Sequence, residues 1–120
     1  MKTETKLIHF SGGIELESGE KLNSFDLMVE TYGELNEGKS NAILLCHAFS
    51  GNHHAAGSSE DFGIGWWDQL VGPGKTIDTN KYFIVCCNNL GGCAGSSGPS
   101  SIDPSSVSYT HLTLPTNREV

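Results

Sequence analysis

Asn41 to Gly51 reads Asn-Ala-Ile-Leu-Leu-Cys-His-Ala-Phe-Ser-Gly, an apolar run that breaks sharply into a short loop carrying a histidine, a serine and a glycine. A continuous apolar run is the pattern of a parallel strand buried on both faces, and α/β sheets place reacting groups just beyond the carboxyl ends of such strands. A site near Phe49 follows. Two further groupings invite a chemical reading. Gly91-Gly92-Cys93-Ala94-Gly95 follows a second apolar run and has the spacing of a glycine-flanked nucleophile, with cysteine in the reacting place. A nucleophile held in that way must feed directly into a helix, and Gly95-Ser96-Ser97-Gly98-Pro99 cannot start one without strain. No pattern positions a histidine for that thiol, so Cys93 is read as a loop residue. His47, His53 and His54 with Glu60 and Asp61 carry metal-ligating atoms, but neighbouring His53 and His54 point apart in extended backbone, and no two histidines stand four apart. Loop histidines with local hydrogen bonds are the expectation. The Gly-Ser-rich segment 91 to 101 lacks the Gly-Lys-Ser/Thr ending of a phosphate-binding loop.

The elements that must position this loop are readable in outline. Ala42 to Cys46 is expected as the first fully buried strand and Tyr82 to Cys87 as the next. Ile14 to Glu17 and Phe25 to Tyr32 alternate partly with period two across Ser18-Gly19-Glu20-Lys21, which predicts an opening antiparallel pair joined by a tight turn. Gly33 to Ser40 is polar and turn-rich, and Gly51 to Gly65 is a loop of small and polar residues. Trp66 to Val71 is the only plausible helical turn, ended by Gly72-Pro73-Gly74, with one tryptophan as a core anchor and its neighbour half exposed. Asn88 to Ser106, rich in Gly, Ser, Asn and Pro, suits a loop pinned to a surface.

Composition bounds the class of protein. With 120 residues the chain is short for a parallel α/β domain, which needs a crossover helix after nearly every strand, so its length hints at a fragment. A net charge of −7 argues against a nucleic-acid or anionic-membrane partner. No apolar run approaches the ~18 residues of a membrane span, and MKTETKLIHF lacks the apolar core of a signal peptide, so a cytoplasmic location is expected. Of the four cysteines, Cys46, Cys86 and Cys87 lie on or beside the apolar runs, where a free thiol acts as a small hydrophobe; disulfides are not expected.

Read together, Phe25 to Gly33 (FDLMVETYG), Asn41 to Gly51, Gly65 to Gly74 (GWWDQLVGPG), Ile77 to Phe83 (IDTNKYF) and Asn88 to Pro104 (NNLGGCAGSSGPSSIDP) resemble the amino-terminal part of the homoserine O-acetyltransferase family, over about residues 7 to 105. The resemblance implies a truncated α/β-hydrolase fold, with opening antiparallel strands and the first parallel strands, and a helical lid in the whole protein. It implies acetyl transfer from acetyl-CoA, a co-substrate and not a bound cofactor, to the hydroxyl of L-homoserine in methionine biosynthesis, by a cytoplasmic homodimer that uses no metal. Enzymes of this fold begin the corresponding loop with His-Gly and offer one of its backbone N–H groups to the oxyanion; Ala48 stands where that glycine usually is. Phe49 is then expected to supply an oxyanion N–H, with Ser50 and Gly51 as substrate-binding positions. The family's nucleophilic serine and its Asp and His partners are expected beyond residue 120, and segment 91 to 95 beside the active-site entrance. The near alternatives keep the fold, with a succinyl donor or serine as acceptor. The alternative of another class is an inactive fragment, and the chain alone is expected to lack acetyltransferase activity. Residues 1 to 106 are taken as a partial domain. Residues 107 to 120, which include VSYTHLTLPT, resemble a translated sequencing adapter and are set apart from it.

Overall fold

The computed structural model describes residues 1–92, 94–99 and 101. Among them every regular element is a strand: β1 (Thr3–Phe10), β2 (Ile14–Glu15), β3 (Lys21–Leu22), β4 (Phe25–Tyr32), β5 (Ala42–Leu45), β6 (Ser58–Ser59), β7 (Gly63–Ile64), β8 (Val71–Gly72), β9 (Ile77–Asp78) and β10 (Phe83–Cys87). Four of them form the main sheet in the order β1-β4-β10-β5. β10 is the hinge of this arrangement. It runs antiparallel to β4, with Ile84 opposite Tyr32, and parallel to β5, with Ile84 beside Ile43. The two apolar runs therefore do become neighbouring parallel strands whose carboxyl ends open on the same side.

The register divides each strand between two faces, as the two-residue period of a strand requires. Tyr32, Ile84, Cys86 and Leu45 point to one side and are buried with Ala55, Ala56 and Val71, while Ile43 and Ile77 pack against them. This core lies between the sheet and the segment from residue 52 to 79. The opposite face carries Phe83, Val85, Thr31 and Ile8, which line an open concavity of about 520 Å³. Leu44, on that same side, is 65% exposed.

Several sequence expectations are corrected. The opening antiparallel pair is not Ile14–Glu17 with Phe25–Tyr32. β4 pairs instead with β1 over all eight residues, from Thr3 opposite Tyr32 to Phe10 opposite Phe25. The Ser18 to Lys21 turn closes only the small hairpin of β2 and β3, where the Leu16 N–H donates to Glu20 O. An eight-residue ladder outweighs a two-residue one, and β1 had no clean alternation to announce it. The strand after Asn41 ends at Leu45 and is buried on one face only, because Ala42 and Leu44 lie on the side that no described residue covers. Trp66 to Val71 makes a single turn, with the Val71 N–H donating to Trp67 O, before Val71 enters β8. Both tryptophans stay partly exposed and stack on each other at 5.4 Å, so neither is a core anchor. The expected loop from Gly51 to Gly65 contains the β6–β7 hairpin.

The Gly-Ser segment after β10 is pinned as expected, and its hydroxyls show how. β10 covers only Val29 to Tyr32 of β4. Nearer the start of β4, Met28 N–H donates to Ser96 Oγ at 2.9 Å and Asp26 N–H to Ser97 Oγ at 2.8 Å, while Met28 O accepts from Asn88 N–H and Asp26 O from Ser97 N–H. Serine side chains thus take the place of ladder carbonyls where the backbone has left the sheet, satisfying donors that would otherwise be buried unpaired. Cys93 lies outside the described residues, as do residues 102 to 120, which include the adapter-like tail. The residues after Cys93 run along β4 in this way and not as a helix.

Candidate functional site

The carboxyl ends of β5 and β10 emerge side by side because the two strands are parallel and in register. The loops that follow, 46 to 51 and 88 to 92, are joined at His47 Nε2: Asn89 N–H donates to it at 3.0 Å, and the Asn88 side-chain nitrogen lies 3.5 Å from it. His47 is buried, with 9% of its surface exposed, and its Nδ1 lies 2.7 Å from Ala48 O. Ala48 O also accepts from Gly51 N–H at 2.8 Å, which closes a tight turn over Phe49 and Ser50. Gly51 has no room for a side chain, since a Cβ there would stand 2.9 Å from the Cβ of His47. At the tip, the Phe49 side chain is 73% exposed, and among the described residues its N–H has no acceptor. Sequence reasoning thus placed Phe49, Ser50 and Gly51 in one turn at the end of a parallel strand, and the structure brings them together there.

A second group of polar residues lies in the core, between β4 and residues 53 to 63. Tyr32 and Glu30 leave β4 on the buried side; the Tyr32 hydroxyl bonds Glu30 Oε2, and the same carboxylate oxygen is 2.8 Å from His54 Nδ1. Thr5, across from Glu30 on β1, donates to Oε1 at 2.9 Å. His54 Nε2 faces Gly57 O and Gly63 O at 3.1 and 3.0 Å, which ties the β6–β7 hairpin to the sheet. The Tyr32 oxygen accepts the N–H groups of Ala55 and Ala56 at 2.8 and 3.2 Å. Burial first, and then the hydrogen bond to Glu30, push the Tyr32 phenol above its ordinary range, so it serves as a neutral donor and acceptor. Every member of the cluster spends its hydrogen-bonding capacity within the fold, the mark of a brace that holds residues 52 to 57 against β4.

The expectation of loop histidines with local bonds holds only in part: His47 Nδ1 meets the neighbouring Ala48 O and His54 Nε2 meets Gly57 O, but both rings are also tied to distant segments. His47, His53 and His54 are all buried, and the first and last bond residues 42 and 24 positions away. His53 packs edge-on against Phe62 at 5.2 Å, and its Nδ1 has no partner among the described residues. Burial lowers its pKa below the usual histidine value, opposed by Glu30 and reinforced by His54 and His47. Sequence reasoning missed Glu30 and Tyr32 altogether. The one available signal was an acidic residue following the apolar run Leu27 to Val29 inside a strand. Burial also raises the Cys86 thiol to about 12, which keeps it protonated and inert, in line with the reading of that cysteine as a small hydrophobe; Cys46, by contrast, is exposed.

Comparisons with known proteins converge on one group. No family model matches the chain. It is 62% identical over 101 residues to a homoserine O-succinyltransferase of Hahella chejuensis (strain KCTC 2396), covering 82% of this chain and 26% of that protein. It is 60% identical over 99 residues to the homoserine O-succinyltransferase of Pseudomonas aeruginosa (strain UCBPP-PA14), covering 81% of this chain and 26% of that protein. Among solved structures it superposes on a homoserine O-acetyltransferase from Bacillus anthracis with a TM-score of 0.78 at 32% identity, over 100% of this chain and 38% of that one. Esterase E22 matches with the same TM-score of 0.78 at 27% identity, over 99% of this chain and 38% of that one. The chain spans about a quarter of the length of the curated relatives it matches. Its fold is that of the α/β-hydrolases in a truncated, strand-rich form, and its sequence resembles homoserine O-acyltransferases as a group.

Proposed function

We propose that this chain forms the opening quarter of a homoserine O-acyltransferase, an enzyme that moves an acyl group from a CoA thioester to the hydroxyl of L-homoserine. The observation that carries the reading is the 62% identity to a homoserine O-succinyltransferase across four fifths of this chain. In this reading the nucleophilic serine and its Asp and His partners come from the remainder of the protein, and this chain supplies half of the oxyanion hole. The N–H of Phe49, exposed at the tip of the turn after β5, is the donor, and Ser50 and Gly51 border the space in which acyl group and acceptor meet. The transferring carbonyl gains negative charge on its oxygen when serine attacks it and again when the homoserine hydroxyl attacks the acyl-enzyme. A fixed N–H stabilises both of those states more than it stabilises the thioester.

The acyl donor is the point on which the sequence reading and the comparisons part. The motifs resemble acetyltransferases, and so does the Bacillus anthracis structure, whereas the relatives at 60–62% identity bear the succinyltransferase name. We favour succinyl-CoA, because these relatives are nearly twice as similar to this chain as that structure is. Either CoA ester acts as a co-substrate and not as a resident cofactor. The reading carries with it a cytoplasmic homodimer in methionine biosynthesis.

The test is CoA-thiol release by the full-length gene product with homoserine or serine as acceptor. Homoserine-dependent release with succinyl-CoA, at a kcat/KM about tenfold or more above that with acetyl-CoA, is the expected result. Preference for acetyl-CoA would return the donor to the sequence expectation. No release with either ester would remove the function.

A further inference from the structure

A buried histidine, His47, directly precedes the turn that carries Phe49. Its two backbone partners leave no choice of tautomer. Ala48 O can only accept, so Nδ1 must carry the proton; Asn89 N–H can only donate, so Nε2 must be bare. His47 is therefore a neutral imidazole that gives one bond forward along its own loop and takes one from the neighbouring loop. The acceptor of the forward bond is the notable one. Ala48 O belongs to the same peptide unit as the Phe49 N–H. A trans peptide is planar, with its C=O and N–H pointing in opposite directions, and this chain has no cis bond among the described residues. Two donors, His47 Nδ1 at 2.7 Å and Gly51 N–H at 2.8 Å, hold the carbonyl end of that plane. The N–H end is left facing away from both of them and, among the described residues, without an acceptor.

We infer that His47 is a positioning residue for acyl transfer: by gripping Ala48 O while anchored to Asn89, it fixes the Ala48–Phe49 peptide plane so that the Phe49 N–H faces the developing oxyanion. This rests on the proposed role of Phe49. A peptide plane in a tight turn has a second orientation, rotated so that the carbonyl replaces the N–H, and in that state the site would present an acceptor to a forming negative charge. Gly51 N–H alone resists the rotation weakly, because it sits in the same loop and moves with it. The bond from His47 is referred through Asn89 to the end of β10, a different strand. That cross-loop reference makes the geometry independent of the turn's own flexibility. Asn88, 1% exposed, backs this contact, with its side-chain nitrogen 3.5 Å from His47 Nε2.

The test uses the full-length protein and two readouts. The pre-steady-state burst with p-nitrophenyl acetate reports acylation, and so the oxyanion hole, whether or not homoserine is the acceptor; steady-state turnover with homoserine reports the complete reaction. His47→Ala should slow the burst about 10- to 100-fold, short of the full loss of a donor, and lower kcat in proportion, with KM for homoserine unchanged within about twofold. His47→Asn, which keeps an amide donor near the place of Nδ1, should recover part of the burst rate. His47→Gln, which offers an acceptor to Asn89 but no donor to Ala48 O, should not; this pair carries the comparison if His47→Ala fails to fold. A wild-type burst rate in His47→Ala, an effect confined to KM, or His47→Gln outperforming His47→Asn would overturn the inference. A wild-type protein that gives a burst but no homoserine turnover would remove the substrate reading alone, leaving His47 to be judged on the burst. A wild-type protein with no burst would overturn both.

Discussion

In the proposed function the backbone at Phe49 carries the role and the side chain does not. The ring is exposed and the proposed donor is the N–H, so substitutions separate cleanly by what they do to that one atom. Phe49→Pro deletes the N–H and should lower kcat of the full-length enzyme roughly 100- to 1,000-fold, the usual cost of one oxyanion donor. Phe49→Leu keeps the N–H and should stay within a few-fold of wild type. Steady-state kinetics on both proteins, with folding checked by circular dichroism, decide the matter. Equal activity would place the donor elsewhere. The same logic explains why Ala48 can stand where the fold usually has glycine: the plane between residues 48 and 49 is held by its carbonyl oxygen, a grip that any residue at 48 provides.

At the level of elements, the site depends on strands that are short but held at both ends. β5 has four residues and one paired edge, yet its carboxyl end is fixed because the loop after it is bonded to the loop after β10. The loop after β10 is in turn bonded to β4 through Ser96 and Ser97, so positional information runs from β4 to the turn at Phe49 by hydrogen bonds between neighbouring segments. Ser96 is the tightest link, since its Oγ accepts from Met28 N–H and donates to Asn88 O at 2.6 Å. Ser96→Ala leaves one buried donor and one buried acceptor unpaired and should destabilise the full-length protein by about 1–3 kcal/mol. Urea denaturation measures this directly. A change below about 0.5 kcal/mol would mean that the segment is not held through this hydroxyl.

At the level of the whole molecule, the sheet has one finished face and one open face. The finished face is filled by residues 52 to 79, with the Glu30–Tyr32–His54 cluster locking that segment in place. On the open face, Leu44 and Ile8 are exposed and Phe83 and Val85 only partly buried, and β5 presents its second edge without a partner among the described residues. Unpaired strand edges with apolar side chains recruit further strands. The 120-residue chain expressed alone should therefore aggregate or remain partly unfolded, and should show no acyl transfer. Sedimentation velocity and amide exchange test this. A monodisperse monomer with a cooperative thermal transition and slow exchange across Ala42 to Leu45 would show that the half-sheet is self-sufficient.

Features with a local signature were legible in the sequence. The apolar runs at 42–46 and 82–87 announced parallel strands, the break after Cys46 announced the loop that carries Phe49, and the glycine-serine composition after Asn88 announced a pinned, irregular segment. Each of these is written in consecutive residues, because an apolar sheet strand and a loop that must turn restrict composition position by position. Features decided by a distant partner were not legible. β1 was invisible as the mate of β4 because an edge strand with mixed faces has no sharp alternation. Ser97 reaches Asp26 across 71 positions, and His47 meets Asn89 across 42. Nothing near His47 in the chain says whether its ring faces water, a metal or a backbone amide. Only the parallel pairing of β5 with β10 brings Asn89 beside it, fixes its tautomer and turns a loop histidine into the support of a peptide plane.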